Sequence, residues 1–228
     1  MRLNKFIAAT GYCSRRQADI LIEKGKVKVN GKVAILGKDV EETKDRVEVN
    51  NKRVYLEDEK VYIMLNKPRG YVTTANDENG RKTIFDIVKS KQRLFAVGRL
   101  DIATEGLLIL TNDGKFANDL MHPSKKIEKT YIAKVKGDIT DEKIDKLIQG
   151  VEIDEYMTKP AKVRRVGVEE LEIIITEGRN RQVRKMCEAV KLDVSKLRRT
   201  RLASLEVKGL KTGEYRELKQ EELKQLMD

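Results

Sequence analysis

The first sixty residues carry their apolar positions in short runs, each closed by a recognisable stop. "LNKFIAAT" ends at Gly11, and Ser14 then stands as an N-cap ahead of "RRQADILIEK", which closes at Gly25. Inside that second segment Ala18, Leu21 and Ile22 recur at i, i+3 and i+4, so a helix with one buried face is predicted. "KVKVNGKVA" then alternates Val27, Val29 and Val33 about Asn30-Gly31, the strongest short hairpin signal. Lys26, Lys28 and Lys32 alternate with those valines and are expected on the opposite, wet face. Beyond the charged stretch "VNNKRVYLEDEK" the pattern changes. "KVYIMLNKP", "LFAV", "GLLILT", "KTYIAKVKG" and "LEIIIT" read as strands. "KFANDLM", "DEKIDKLIQG" and "RNRQVRKMCEAVK" read as helices, with "QEELKQLM" as a closing one. This order predicts an α+β chain: a small helix–hairpin module over residues 1–58, then a larger domain over 59–228 with a mixed sheet flanked by helices.

Composition narrows the partners. The chain has 48 Lys+Arg against 37 Asp+Glu, a net charge of +11. A balance this basic favours a polyanion, either nucleic acid or an anionic membrane surface. No apolar run is long enough for a membrane span or a leader, so a cytoplasmic protein is expected. Cys13 and Cys187 are far apart and His122 is the single histidine, which makes a zinc site built from them improbable and free thiols the expectation. His122 ends a helix ahead of Pro123 and is given no catalytic role.

Charge placement points to RNA. Residues 1–58 hold 13 basic and 9 acidic side chains, a net of +4. Arg2, Lys5, Arg15 and Arg16 lie near the ends of the two predicted helices, where they can line one phosphate-binding face, with Lys26 and Lys28 following on the hairpin. The stretch "RLNKFIAATGYCSRRQADILIEKGKVKVNG" resembles the RNA-binding module of ribosomal protein S-four, found also on tyrosyl-tRNA synthetases and RNA-modifying enzymes. The resemblance rests on Arg2-Leu3, Gly11, Ser14-Arg15-Arg16, Ala18, Ile22-Glu23-Lys24-Gly25 and Val29-Asn30-Gly31.

Four stretches of the larger domain bear chemistry. In "GRLDIATEGLLILTNDG" a carboxylate, Asp101, stands between two apolar runs, where a charge is costly unless it is paired or hydrogen-bonded. A loop between buried strands can hold such a group rigidly at a sheet edge. "TEGRNRQVRKMCEAVK" and the following "SKLRRTR" concentrate charge: from Arg179 to Arg201 there are nine basic residues against Glu188 and Asp193. Arg179, Arg181, Arg198 and Arg199 are the phosphate-binding candidates there, arginine being suited to bidentate contact. Tyr131 in "EKTYIAKVKG" is either a core tyrosine or a platform under a base. "NKPRGYVTT" reads as a tight basic turn, with Lys67 and Arg69 expected to point outward.

Taken in order, behind the N-terminal module, these stretches resemble the RsuA/RluB/RluF-type ribosomal RNA pseudouridine synthases. The resemblance spans nearly the whole chain. It implies a catalytic domain with a mixed, mainly antiparallel sheet, no cofactor, no metal, and isomerisation of a uridine whose base has left the stack. It makes Asp101 the essential aspartate, Tyr131 the residue packed against the target base, Arg184 the cation paired with the aspartate, and Arg99 a holder of the flipped RNA. An arginine beside a carboxylate favours its ionised form, which nucleophilic catalysis requires.

The implied partner is ribosomal RNA, free or in an assembly intermediate. "LMHPS" and "KMCEAVKLDVSKLRRTR" look closer to the large-subunit branch than to the small-subunit one. A monomer acting on 23S RNA is therefore expected, with 16S RNA as the alternative. Two rivals are a non-catalytic ribosome-associated RNA-binding protein and a metal-dependent nuclease using Asp101, Glu105 and Asp113. The nuclease requires carboxylates about 4 Å across a two-metal site, whereas Glu105 and Asp113 fall at opposite ends of a predicted strand.

Overall fold

The computed structural model describes residues 1–57 and 59–227, so the boundary expected between 58 and 59 falls on Asp58, outside the described residues. The chain divides into two units. One comprises Met1–Val61 with Ser90–Leu94 and Thr111–Gly114; the other comprises Tyr62–Lys89, Phe95–Leu110 and the chain from Lys115 on.

In the first unit, helices α1 (Leu3–Ala9) and α2 (Arg15–Glu23) pack beside a four-stranded sheet. The Ser14 side chain caps α2 by accepting from the Gln17 amide at 3.2 Å. Strands β1 (Val27–Val29), β2 (Lys32–Val33), β3 (Val47–Val49) and β4 (Lys52–Arg53) line up in the order β2-β1-β3-β4. Asn30 and Gly31 turn the first hairpin at φ 52° and 79°, as a type I′ turn requires. The expected valine face is only partly right. The two-residue turn sets Val33 opposite Lys28 and Lys32 opposite Val29, so Val33 is exposed while Val27 and Val29 join Leu3, Phe6, Ile7 and Ile22 in the core.

The second unit is built on a nine-stranded mixed sheet. Its elements are β5 (Tyr62–Lys67), α3 (Ile84–Ile87), β6 (Phe95–Val97), β7 (Thr104–Thr111), α4 (Gly114–Met121), β8 (Lys129–Lys136) and α5 (Asp141–Gln149). A small hairpin, β9 (Glu152–Ile153) with β10 (Tyr156–Met157), lies outside the sheet. Then come β11 (Lys162–Gly167), β12 (Glu170–Ile175), α6 (Gln182–Ala189), β13 (Asp193–Leu202), β14 (Leu205–Glu206), β15 (Tyr215–Glu217) and α7 (Gln220–Met227). The main path runs β11-β12-β8-β13-β7-β5-β15. Neighbours β7 and β13 are parallel, whereas β11–β12, β12–β8, β8–β13, β13–β14 and β5–β15 are antiparallel.

All eight residues of β7 are buried, which explains its unbroken apolar run: both faces are covered. Met64, Leu107, Ile109, Phe116, Leu120 and Leu202 form much of the core on one side, with the Tyr62 ring edge-on to Phe116 at 4.9 Å. Two sequence expectations need correction. The basic knot "SKLRRTR" lies within the ten-residue strand β13, whose alternation is broken by register shifts between Val194 and Lys196 and between Arg199 and Arg201. The helix expected from Arg179 starts only at Gln182, because Arg181 sits in the left-handed region at φ 51°. Among the described residues no helix is long and apolar enough to cross a membrane.

Candidate active site

Asp101 lies in the loop joining β6 to β7, and every backbone carbonyl of that loop from Leu100 to Thr104 is used. Thr73 Oγ1 donates to Leu100 O at 2.7 Å. Lys67 Nζ donates to Asp101 O at 3.1 Å and to Thr104 O at 2.9 Å. The Gly70 amide donates to Ile102 O at 2.8 Å, and Arg184 Nη2 to Ala103 O at 3.1 Å. Buried backbone acceptors are costly when left unpaired, so a full set of donors fixes the loop. The Asp101 side chain takes no part in this. Among the described residues its carboxylate has no hydrogen-bond or ion-pair partner, and it lines a cavity of about 360 Å³ together with Tyr131.

The residues expected around it fall into place unevenly. Tyr131 is buried on β8 and reaches the cavity, joining Asp101 as the sequence suggests. Arg184 does not pair directly with Asp101. Its Nη1 donates to Val194 O at 2.7 Å and its Nη2 to Ala103 O, so it grips the backbone two residues after the aspartate. Burial and the nearby charges of Arg181 and Arg69 hold this guanidinium below its ordinary value, with Asp101 pulling the other way. Lys67 is the clear correction. It is fully buried at the end of β5 rather than outward, because three carbonyls, of Pro68, Asp101 and Thr104, converge on its ammonium. Desolvation pulls its pKa down from 10.5 to about 8, against the opposing pull of Asp101 and Glu105. The nuclease triad does not assemble as a separate cluster: Glu105, near the start of β7, is ion-paired with Lys196 at 3.0 Å, and Asp113 lies past the end of that strand.

Comparison with known proteins gives this geometry its context. A family model described as RNA pseudouridylate synthase matches residues 61–189, and an S4 domain model matches residues 1–47. Ribosomal large subunit pseudouridine synthase B of Bacillus subtilis is 48% identical, covering 99% of this chain and 95% of the relative. The dual-specificity RNA pseudouridine synthase RluF of Escherichia coli K12 is 40% identical over 98% of this chain and 77% of its own. The chain belongs to the RNA pseudouridylate synthase family. The crystal structure of a pseudouridylate synthase, 31% identical, superposes with a TM-score of 0.74 over 99% of both chains.

In this synthase the basic residues around the cavity divide by exposure. Arg99, Arg179 and Arg181 are exposed on its rim, and Arg69 is exposed on the neighbouring turn. Arg198 is half-buried and borders a separate open cleft with Lys208 and Lys211, whereas Arg199 is buried within the cavity rather than at the surface that its sequence context suggested. Sequence reasoning missed the support beneath the Arg179 loop. The Arg179 guanidinium lies 3.1 Å from the centroid of Tyr156 on β10, whose hydroxyl donates to Glu177 at 3.0 Å. Buried Gln182 ties the loop together by donating to Glu177 at 2.7 Å and accepting from the Arg179 amide at 2.9 Å. No motif marks Tyr156, which sits among charged residues in "EIDEYMTK".

In the first unit Lys5, Arg15, Arg16 and Lys26 are exposed, and among the described residues none makes a side-chain hydrogen bond or ion pair. Arg2 is partly committed, to Asp39 at 3.2 Å and to the Gly37 carbonyl, and Lys28 donates to Asn51 at 3.1 Å.

Proposed function

We propose that the protein isomerises uridine to pseudouridine in ribosomal RNA of the large subunit, with Asp101 as the catalytic carboxylate. The observation that carries this reading is the contrast at residue 101: a backbone whose acceptors are all engaged, and a carboxylate left uncommitted toward the cavity. The reacting atoms of a flipped nucleotide would meet a carboxylate already held in place, which lowers the entropic part of the barrier. Tyr131 offers its ring to the base, Arg184 acts as a positioning residue through Ala103 O, and Arg99, Arg179 and Arg181 meet the flanking phosphates. The large-subunit substrate is supported by the name and near-complete coverage of the Bacillus subtilis relative.

The reaction breaks the N1–C1′ bond, turns the uracil, and joins C5 to C1′; the C5 proton is lost and N1 regains one, so no redox partner or group donor is consumed. The test is pseudouridine formation in 23S and 16S transcripts, and in assembled subunits, by wild type and Asp101→Asn. Modification of 23S RNA by wild type alone, with a loss of at least about 10³-fold in the variant, is the expected result. Modification confined to 16S RNA would overturn the substrate, and an active Asp101→Asn would overturn the role of the carboxylate.

A further inference from the structure

Arg199 is the unexplained group in the cavity. It is 3% exposed, it lines the same space as Asp101 and Tyr131, and it sits directly opposite Tyr131 in the β8–β13 register. Its position follows from the sheet. The parallel ladder between β13 and β7 ends at the pair Arg199–Gly106, and the next carbonyl of β7, Leu107 O, accepts from Arg199 Nε at 2.8 Å. That single bond anchors the guanidinium. Nη2 is closed off without a partner, whereas Nη1 also makes no hydrogen bond but is not shut in, and among the described residues no carboxylate pairs with Arg199.

A buried guanidinium with open donor positions is costly unless something arrives to accept from it. A second cation adds to that cost. Lys129 lines the same cavity, with its ammonium held at 3.0 Å by Ile127 O, and burial together with the charge of Arg199 lowers its pKa, against a smaller pull from Glu177. Two neighbouring cations therefore border a space that Asp101 enters from the loop. The missing acceptor is electron-rich, small enough for a cavity of about 360 Å³, and brought by the substrate.

We propose that Arg199 is a catalytic residue that donates to a carbonyl oxygen of the target uracil and stabilises the negative charge gathering there as the N1–C1′ bond breaks. The electron pair of that bond departs with N1, which is conjugated to O2 and O4, so charge reaches an oxygen without any proton leaving Arg199. A donor fixed in advance and shielded from water is effective at such an oxygen. A surface phosphate contact would instead leave the guanidinium in solvent. This assignment rests on uridine being the nucleotide in the cavity.

The test is single-turnover kinetics on an RNA fragment that the wild type modifies, made with uridine, 2-thiouridine or 4-thiouridine at the target, with wild type, Arg199→Met and Arg199→Lys. Wild-type turnover of the unsubstituted RNA reports on the substrate reading alone; the comparison across variants and sulfur substitutions reports on Arg199. Arg199→Met is expected to slow the chemical step about 10²-fold, the usual cost of one such donor, with RNA affinity within about threefold of wild type. Arg199→Lys should recover part of that rate. Sulfur at one of the two positions should slow the wild type and leave Arg199→Met indifferent, and that position names the oxygen. Equal sulfur effects in both proteins would overturn the proposal, as would a lost RNA affinity and shallower salt dependence at an unchanged single-turnover rate. Should Arg199→Met fail to fold, a wild type insensitive to sulfur at both positions overturns the proposal, and sensitivity at one position that Arg199→Lys attenuates sustains it.

Discussion

At the scale of single residues, Lys67 shows how one buried side chain holds a distant loop in place. Its ammonium bonds three carbonyls, two of them in the Asp101 loop, so Lys67→Met should leave those acceptors dry and cost about 2 kcal/mol of stability. The pH dependence has a definite sign. With a folded pKa of about 8 against an ordinary 10.5, the unfolded chain holds more protons at this position between those values. Stability contributed by Lys67 therefore rises as pH climbs from about 8 to 10.5, and its burial penalty is full below that window. Urea midpoints across this range should climb more steeply for wild type than for Lys67→Met; parallel profiles would remove the charged-lysine account. The sequence singles out Asp101 and Tyr131 because their surroundings form long motifs, and both line the cavity. The burial of Lys67 was not legible: a lysine before Pro-Arg-Gly reads as a wet turn, and its inward course depends on carbonyls 34 and 37 residues away.

At the scale of elements, the contact between β7 and β13 governs the site. Gly106 adopts φ 112°, and a Cβ there would fall 2.1 Å from the Arg199 carbonyl oxygen and 2.8 Å from its amide nitrogen. Both objections apply to backbone, which cannot swing aside. Gly106→Ala should accordingly destabilise the fold by about 3 kcal/mol or more, read as a drop in the urea midpoint. A drop below about 1 kcal/mol would mean that β13 can move away from β7 cheaply. An unbroken apolar run announced β7, the Asn-Gly turn announced the first hairpin, and period-two alternation announced β8. It failed at β13, where two register shifts and a surplus of arginine and lysine disguise a central strand as a surface patch. It also misjudged Val33, since alternation continued through a two-residue turn assigns the wrong face.

At the scale of the whole molecule, the +11 charge is carried by both units, and the first holds exposed cations with no acidic partner among the described residues. Arg15→Glu with Arg16→Glu should weaken RNA binding and make the log–log salt slope shallower by about 1.5, the share of two phosphate contacts on single-stranded RNA. A filter-binding salt titration of the full chain checks this; an unchanged slope would leave α2 as an ordinary solvated face. The sequence announces two modules because each carries its own local pattern, but nothing local assigns Ser90–Leu94 and Thr111–Gly114 to the first unit. The cavity was not legible either, since Asp101, Tyr131 and Arg199 meet only through strand order and register.

On the role proposed for Asp101, the engaged carbonyls of its loop have a consequence for which uridines react. A segment whose carbonyls from Leu100 to Thr104 are all taken, by donors from β5, the turn after it and α6, has no backbone acceptor to exchange on meeting RNA. Accommodation then falls to the nucleic acid, which pays a few kcal/mol to unstack a base and least where that base is already poorly paired. On that proposed role, selection among uridines becomes a question of RNA mechanics: a carboxylate on a fixed backbone favours the loops and mismatches whose backbone yields most cheaply.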